Sequence, residues 1–171
     1  MASLDLSIVI YTPVFGNYLH WALSIFDQTS ATWHIFQVIQ VDEDHPFEYH
    51  YGQATTSPAN SDRFIHLVHV ADLDLSDWET IVQATREVPF EDQPVHWNCQ
   101  DWAYDVLDIL LRDGLIDDYT RRSARVEADR FYGPDVGGGD DYGEQDEEGN
   151  IEEVPGKFLS EEYVYDSDEG I

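Results

Sequence analysis

Cysteine is almost absent from this chain of 171 residues: Cys99 is the only one, so no internal disulfide can form. Basic side chains are scarce, 8 against 36 acidic ones, for a net charge of −28. A field of that sign repels nucleic acid and anionic membrane surfaces and favours basic partners. No apolar run approaches the ~20 residues of a membrane span. The N-terminus lacks a basic segment followed by a long apolar core, so no secretory signal is expected. A lone thiol without such a signal predicts an intracellular protein, cytoplasmic or nuclear. There is no glycine-rich phosphate loop and no Gly-x-Ser-x-Gly elbow. His96 and Cys99 have a zinc-like spacing, but no second cysteine and no paired His-x-x-x-His support it. No metal and no other cofactor is expected.

What is present is enough for one folded body. Hydrophobic residues make up 42% of the chain and aromatic residues 13%. Acid is spread unevenly. Residues 135–171 carry 14 acidic side chains and one base, Lys157, which leaves −13. Residues 1–134 carry 22 acids and 7 arginines, which leaves −15. Three consecutive glycines, Gly137 to Gly139, and the acid run Glu144 to Glu148 predict a domain over 1–133 and an acidic, largely disordered tail over 134–171. Leu159 to Tyr165 is the one apolar-aromatic island in that tail.

The domain reads as α+β. Leu6 to Tyr11 is short and β-branched, a first strand. Residues 18–26 and Trp33 to Val41 follow as strands joined by the short polar stretch Asp27 to Thr32, a hairpin. Residues 42–62 read as a loop with at most a short strand over Phe47 to Tyr51, and Phe64 to Ala71 is a further strand. Ser76 or Asp77 opens a helix to about Arg86, with Glu79 closing a capping box on Ser76. The main helix runs from Cys99 to about Arg112, because Trp102, Ala103, Val106, Leu107 and Leu110 recur at helical spacing. Gly114 supplies its stop. A weaker helix is expected over 117–130.

Two segments carry the chemistry. Asn98 is a good N-cap, so Cys99 falls in the first turn, where free N–H groups and the helix dipole favour a thiolate. Asp101 opposes that by like charge. His20 alternates with Trp21 and shares its strand face with the small Ala22 and Ser24, which leaves room for an approaching group. Such an imidazole can take a thiol proton and return it. His34, on the paired strand, is expected near His20, orienting its ring. His66 and His69 fall on opposite strand faces and cannot share a metal.

Tyr18-x-His20-Trp21-Ala22-Leu23, then His34, then Asn98-Cys99 resembles the lecithin retinol acyltransferase-like superfamily. The order is similar in the deSUMOylating isopeptidase family. The words His-Trp-Ala-Leu and Trp-Asn-Cys-Gln-Asp-Trp are similar to those of uncharacterised small fungal proteins. The resemblance implies a circularly permuted papain-like (NlpC-type) fold: an antiparallel sheet packed on a helix that carries the cysteine at its N-terminus. It implies Cys99 as nucleophile, His20 as base and His34 as third polar residue. Tyr18, Asn98 and Gln100 would be the oxyanion-side and supporting residues. The expected activity is thiol-dependent hydrolysis or transfer at an acyl, amide or isopeptide bond of a small molecule or protein. Gln100-Asp101-Trp102 replaces the superfamily's Glu-His-Phe, and an acidic tail stands where its acyltransferases carry a membrane anchor, so no membrane partner is expected. The rival expectation is a catalytically inactive protein of the same fold whose acidic tail binds a basic protein.

Overall fold

A computed structural model describes residues 3–14, 16–42 and 44–134. The expectations for the tail, including its disorder, its Leu159–Tyr165 island and a basic partner, fall outside those residues. Five strands form one antiparallel sheet: β1 (Ser3–Tyr11), β2 (His20–Asp27), β3 (Thr32–Ile39), β4 (Glu48–Ala54) and β5 (Phe64–Asp74). Their order across the sheet is β4-β3-β2-β1-β5. Among the described residues three α-helices follow: α1 (Trp78–Glu87), α2 (Cys99–Arg112) and α3 (Asp118–Ala128). The molecule is thus mixed α+β, with strands first and helices after them.

Strand alternation sorts the side chains. Leu4, Leu6, Ile8 and Ile10 of β1 point to the helix side and are wholly buried. They join Trp21, Leu23 and Ile25 of β2, Phe36 and Val38 of β3, and the apolar stripe of α2 in the main core. Burying each such side chain stabilises the fold by roughly 1.5–3 kcal/mol. A smaller cluster of Val9, Tyr11, Ala22 and Ile35, with Phe64 and Leu67 against it, lies on the other face.

Local chemistry fixes the connections. In the β2–β3 hairpin Asp27 accepts the N–H of Thr29 at 2.7 Å and the hydroxyl of Ser30 at 2.7 Å. Ala31 then takes a left-handed φ of 53°. The resulting register places Ile25 opposite His34 and Leu23 opposite Phe36. The capping box before α1 forms with Asp74 and Asp77 and not with Ser76 and Glu79. Strand β5 runs on to Asp74, so its carboxylate reaches the free N–H groups of the turn 75–77 first.

Helix α2 has the bounds its sequence predicts. Asn98 caps it by accepting the Gln100 N–H at 2.8 Å, and Asp101 accepts the Asn98 N–H at 3.1 Å. At the other end Gly114 has φ +77°, the left-handed conformation a helix stop favours. The Leu115 N–H returns to the Leu110 carbonyl at 2.9 Å. Arg112 ties α2 to Glu87 of α1, and Arg121 of α3 ties to Asp108 of α2. The Arg112 pair is exposed and the Arg121 pair only partly buried, so both contribute less than the packing beneath them. Among the described residues no helix is long and apolar enough to cross a membrane.

Candidate active site

The β2–β3 ladder does not reach the start of β2: it ends at Leu23 and Phe36, three residues in from His20. The N-terminus of α2 sits against β2 beyond that point. The Cys99 sulfur accepts the Trp21 N–H at 3.5 Å and lies 3.9 Å from the Leu19 carbonyl oxygen. Alternate residues of a strand present their backbone groups to the same edge, so the thiol occupies the strip of edge that flanks His20. Cys99 and His20 both line a cleft of about 490 Å³, with Tyr18, Val38, Phe47 and Trp97 among its walls.

His20 points to the sheet face opposite Trp21, where its ring stacks on Tyr11 with centroids 6.2 Å apart. Its Nε2 is 2.7 Å from Oε1 of Gln37. Since that oxygen only accepts, Nε2 carries the ring proton and Nδ1 keeps the lone pair of a base. Gln37 is therefore the polar residue that orients His20. Among the described residues no hydrogen bond joins the His20 ring to the Cys99 thiol. The resting sulfur is turned to the backbone on either side of that histidine.

His34 does not join this site. It pairs with Ile25, so it projects to the helix side of the sheet, and it lies farther down the hairpin than His20. Its Nδ1 is 2.7 Å from the Tyr51 hydroxyl and its ring lies 4.4 Å from that of Trp78. The expectation of a His20–His34 pair thus fails on parity: an odd offset across an antiparallel pair separates two side chains onto opposite faces.

The other expected residues fall around α2. Tyr18 borders the cleft and bridges to Pro134. Asn98 is the N-cap, and its side-chain oxygen takes up the N–H groups of the second and third helical residues. That leaves the Cys99 N–H, beside its own sulfur, as the uncapped donor. Gln100 is fully buried, and its amide is engaged by backbone. It donates to the Leu19 carbonyl at 3.1 Å and accepts the Gly133 N–H at 2.9 Å. It supports the site by tying α2 to β2 and to the segment 131–133, and has no free donor for an oxyanion.

Burial sets the electrostatics. It pushes the Cys99 thiol up to about 11, against the pull of the Trp21 N–H, and Asp101 adds to the rise. It pushes His20 down to about 4, outweighing the Gln37 bond, and Arg63 adds to the fall. The lowered thiol expected from the helix end alone is therefore overturned by desolvation. At neutral pH the resting pair is a thiol and an uncharged imidazole.

Among the described residues one group has metal-ligand spacing: Asp5, His69 and Asp72, whose ligand atoms lie within 4.8 Å of one another. It is on the β1–β5 rim, apart from the cleft. His66 faces the other way, bonded to Glu127 at 2.9 Å and stacked on Phe131.

Residues 6–117 match the Family of unknown function (DUF6540). The chain belongs to that family. The match spans the whole sheet from Leu6 onward, helices α1 and α2, and every cleft residue named above. No curated protein and no solved structure matches the chain.

Gln37 is the site residue that the sequence reading missed. Its signal was present: it is the only polar side chain in the run Ile35-Phe36-Gln37-Val38-Ile39, and it shares the parity of Ile35 rather than of His34.

Proposed function

We propose that this DUF6540 protein is a thiol-dependent hydrolase or acyl/amide transferase with a Cys99–His20–Gln37 site, on a circularly permuted papain-like frame. The observation that carries the reading is the seat of Cys99. Its sulfur lies in the first turn of α2, on the strand edge flanking a histidine whose far nitrogen is held by Gln37. The order of histidine before cysteine agrees with the resemblance to the lecithin retinol acyltransferase-like superfamily.

The chemistry follows general-base lines, because thiol and imidazole start uncharged. Substrate enters the cleft and the Cys99 side chain turns from the Leu19 carbonyl toward His20. Nδ1 takes the thiol proton as sulfur attacks the carbonyl carbon. Positive charge on the imidazolium is shared with Gln37 Oε1, as in other nucleophile–base–orienter sets. The Cys99 N–H meets the oxyanion, a donor worth about 3 kcal/mol in comparable sites. His20 returns the proton to the leaving amine or alcohol. Water or a second acceptor then releases the acyl group from sulfur.

The buried, protonated resting thiol also favours a second reading, a non-catalytic interaction protein of the same frame. The test is labelling by an acylating thiol probe, with hydrolysis of activated esters and lysine isopeptides measured alongside. Wild type should react at Cys99, and Cys99→Ala should not. Gln37→Leu should lower kcat more than it changes KM, because it frees the ring without altering the cleft walls. Equal probe rates in wild type and His20→Asn would remove the catalytic reading and leave the binder.

A further inference from the structure

His34, which the thiol site leaves unused, belongs to a second cavity of about 560 Å³ at the far end of the hairpin. Its floor is aromatic, with His34 and Phe36 buried and Tyr51 and Trp78 half-buried. Phe36 and Tyr51 are cross-strand partners with ring centroids 5.0 Å apart. Trp78, the first residue of α1, closes over them, 4.4 Å from the His34 ring and 6.1 Å from that of Phe36. A chain of hydrogen bonds holds two of the walls: Gln53 donates to the Tyr51 hydroxyl at 2.7 Å, and that oxygen is 2.7 Å from His34 Nδ1.

Two carboxylates, Asp27 from β2 and Glu79 from α1, border the same cavity. Asp27 is held firmly ionised by the hairpin groups that donate to it, Ser30 first and then Thr29. The one cation in the lining, Arg86, sits over the Tyr49 ring at 5.9 Å and also hydrogen-bonds to that residue's side chain. Burial holds His34 below its ordinary value, so it adds no positive charge at neutral pH. Aromatic faces carry partial negative charge and attract a poorly hydrated cation, and nearby carboxylates strengthen that attraction. The chain's net charge of −28 draws cations toward the mouth.

We infer that this cavity binds an organic cation, an alkylated ammonium group, against the half-buried Tyr51 and Trp78 rings, which Phe36 and His34 back from beneath, with Asp27 and Glu79 as its counter-ions. The site is independent of the thiol chemistry and would stand if Cys99 proved inert. The cation could be a free quaternary amine or a methylated lysine side chain, which share this chemistry. The cavity opens beside the exposed Glu79 and Gln53, so a tethered side chain could enter it as readily as a free molecule.

The test is calorimetric titration of the full chain, at physiological salt, with tetramethylammonium and with a short peptide carrying trimethyllysine. A neutral tert-butyl analogue of matched shape serves as control. The cations should bind and the analogue should bind at least about tenfold more weakly, because shape alone does not supply the ring–cation attraction. Trp78→Ala should weaken binding by about tenfold. Should that variant fail to fold, Glu79→Gln, at an exposed position, should weaken it about twofold to fivefold, the worth of one exposed carboxylate. Tighter binding of the peptide than of the free amine would assign the source to a protein side chain, and the reverse to a small molecule. Absence of binding to both probes up to about 10 mM, where even a Kd in the millimolar range is measurable, would overturn the inference. So would equal affinity for the neutral analogue, or cation binding unchanged by both variants, which would trace the signal to surface acid.

Discussion

Acid should destabilise this protein through His20 in a way that can be isolated. Folding leaves the imidazole with only 6% of its surface exposed and lowers it from the ordinary 6.5 to about 4. Between those values the unfolded chain binds a proton that the folded chain refuses, so stability falls as pH falls through that window. The contribution is intact above about pH 6.5 and is lost progressively below it. At pH 5 the loss is about 2 kcal/mol, and it approaches about 3 kcal/mol at pH 4. Against the 5–15 kcal/mol typical of a domain, either figure is large. The assay is urea unfolding of wild type and His20→Asn at several values from pH 7 to pH 4.5. The asparagine does not titrate, and the surface carboxylates are common to both chains. The comparison is therefore between slopes, so any fixed cost of the substitution cancels. Wild type should lose about 2 kcal/mol more than the variant between pH 7 and pH 5. Parallel slopes would show that the ring protonates freely in the native state. That would mean the cleft is wetter than the packing of Tyr11, Gln37 and Arg63 around it implies, and the argument for an uncharged resting base would go with it.

Much of the frame is legible in the sequence because its signals are local. Asn98, the apolar spacing from Trp102 to Leu110 and Gly114 mark both ends of α2 without tertiary information. The β2–β3 hairpin is equally plain from its polar turn. What local signals did not supply was register. Asp27 pairs with Thr32 and Ile25 with His34, so the facing residues share a constant sum, and carrying that sum one step past the end of the ladder puts Gln37 level with Ala22 on the His20 face. The pairing of His20 with His34 overlooked this parity, although the turn length already implied it. The thiol is a different case. A helix N-terminus argues for a lowered value, and only the buried seat against Leu19 and Trp21 shows that desolvation outweighs it. Gln100 is a third. Nothing near it in sequence foretells that its amide holds residues 131–133, more than thirty positions away.

Four further measurements follow from the packing and the thiol. Gln100→Leu should cost about 2–4 kcal/mol in urea unfolding, because it leaves the Gly133 N–H and the Leu19 carbonyl without their side-chain partner. Leu107→Ala, in the wholly buried stripe of α2, should cost about 2–5 kcal/mol, and a loss under 1 would mean that the helix packs loosely on the sheet. The thiol itself offers the sharpest check on the site. Its folded value, raised to about 11 from the ordinary 9.0, lies above that of the unfolded chain. Below pH 9 both states keep the proton. Between pH 9 and about 11 only the unfolded chain releases it, so stability falls as pH rises through that window. Cys99→Ala should abolish this alkaline loss, read as the wild-type minus variant difference in unfolding free energy. Alkylation by iodoacetamide should follow the same ionisation, rising steeply above pH 9 with no plateau near neutrality. A plateau at mildly acidic pH would mean that a thiolate–imidazolium pair already exists at rest. The sulfur would then face His20 in solution and not the Leu19 carbonyl, and the general-base step assigned to Nδ1 would be replaced by direct attack of a preformed thiolate.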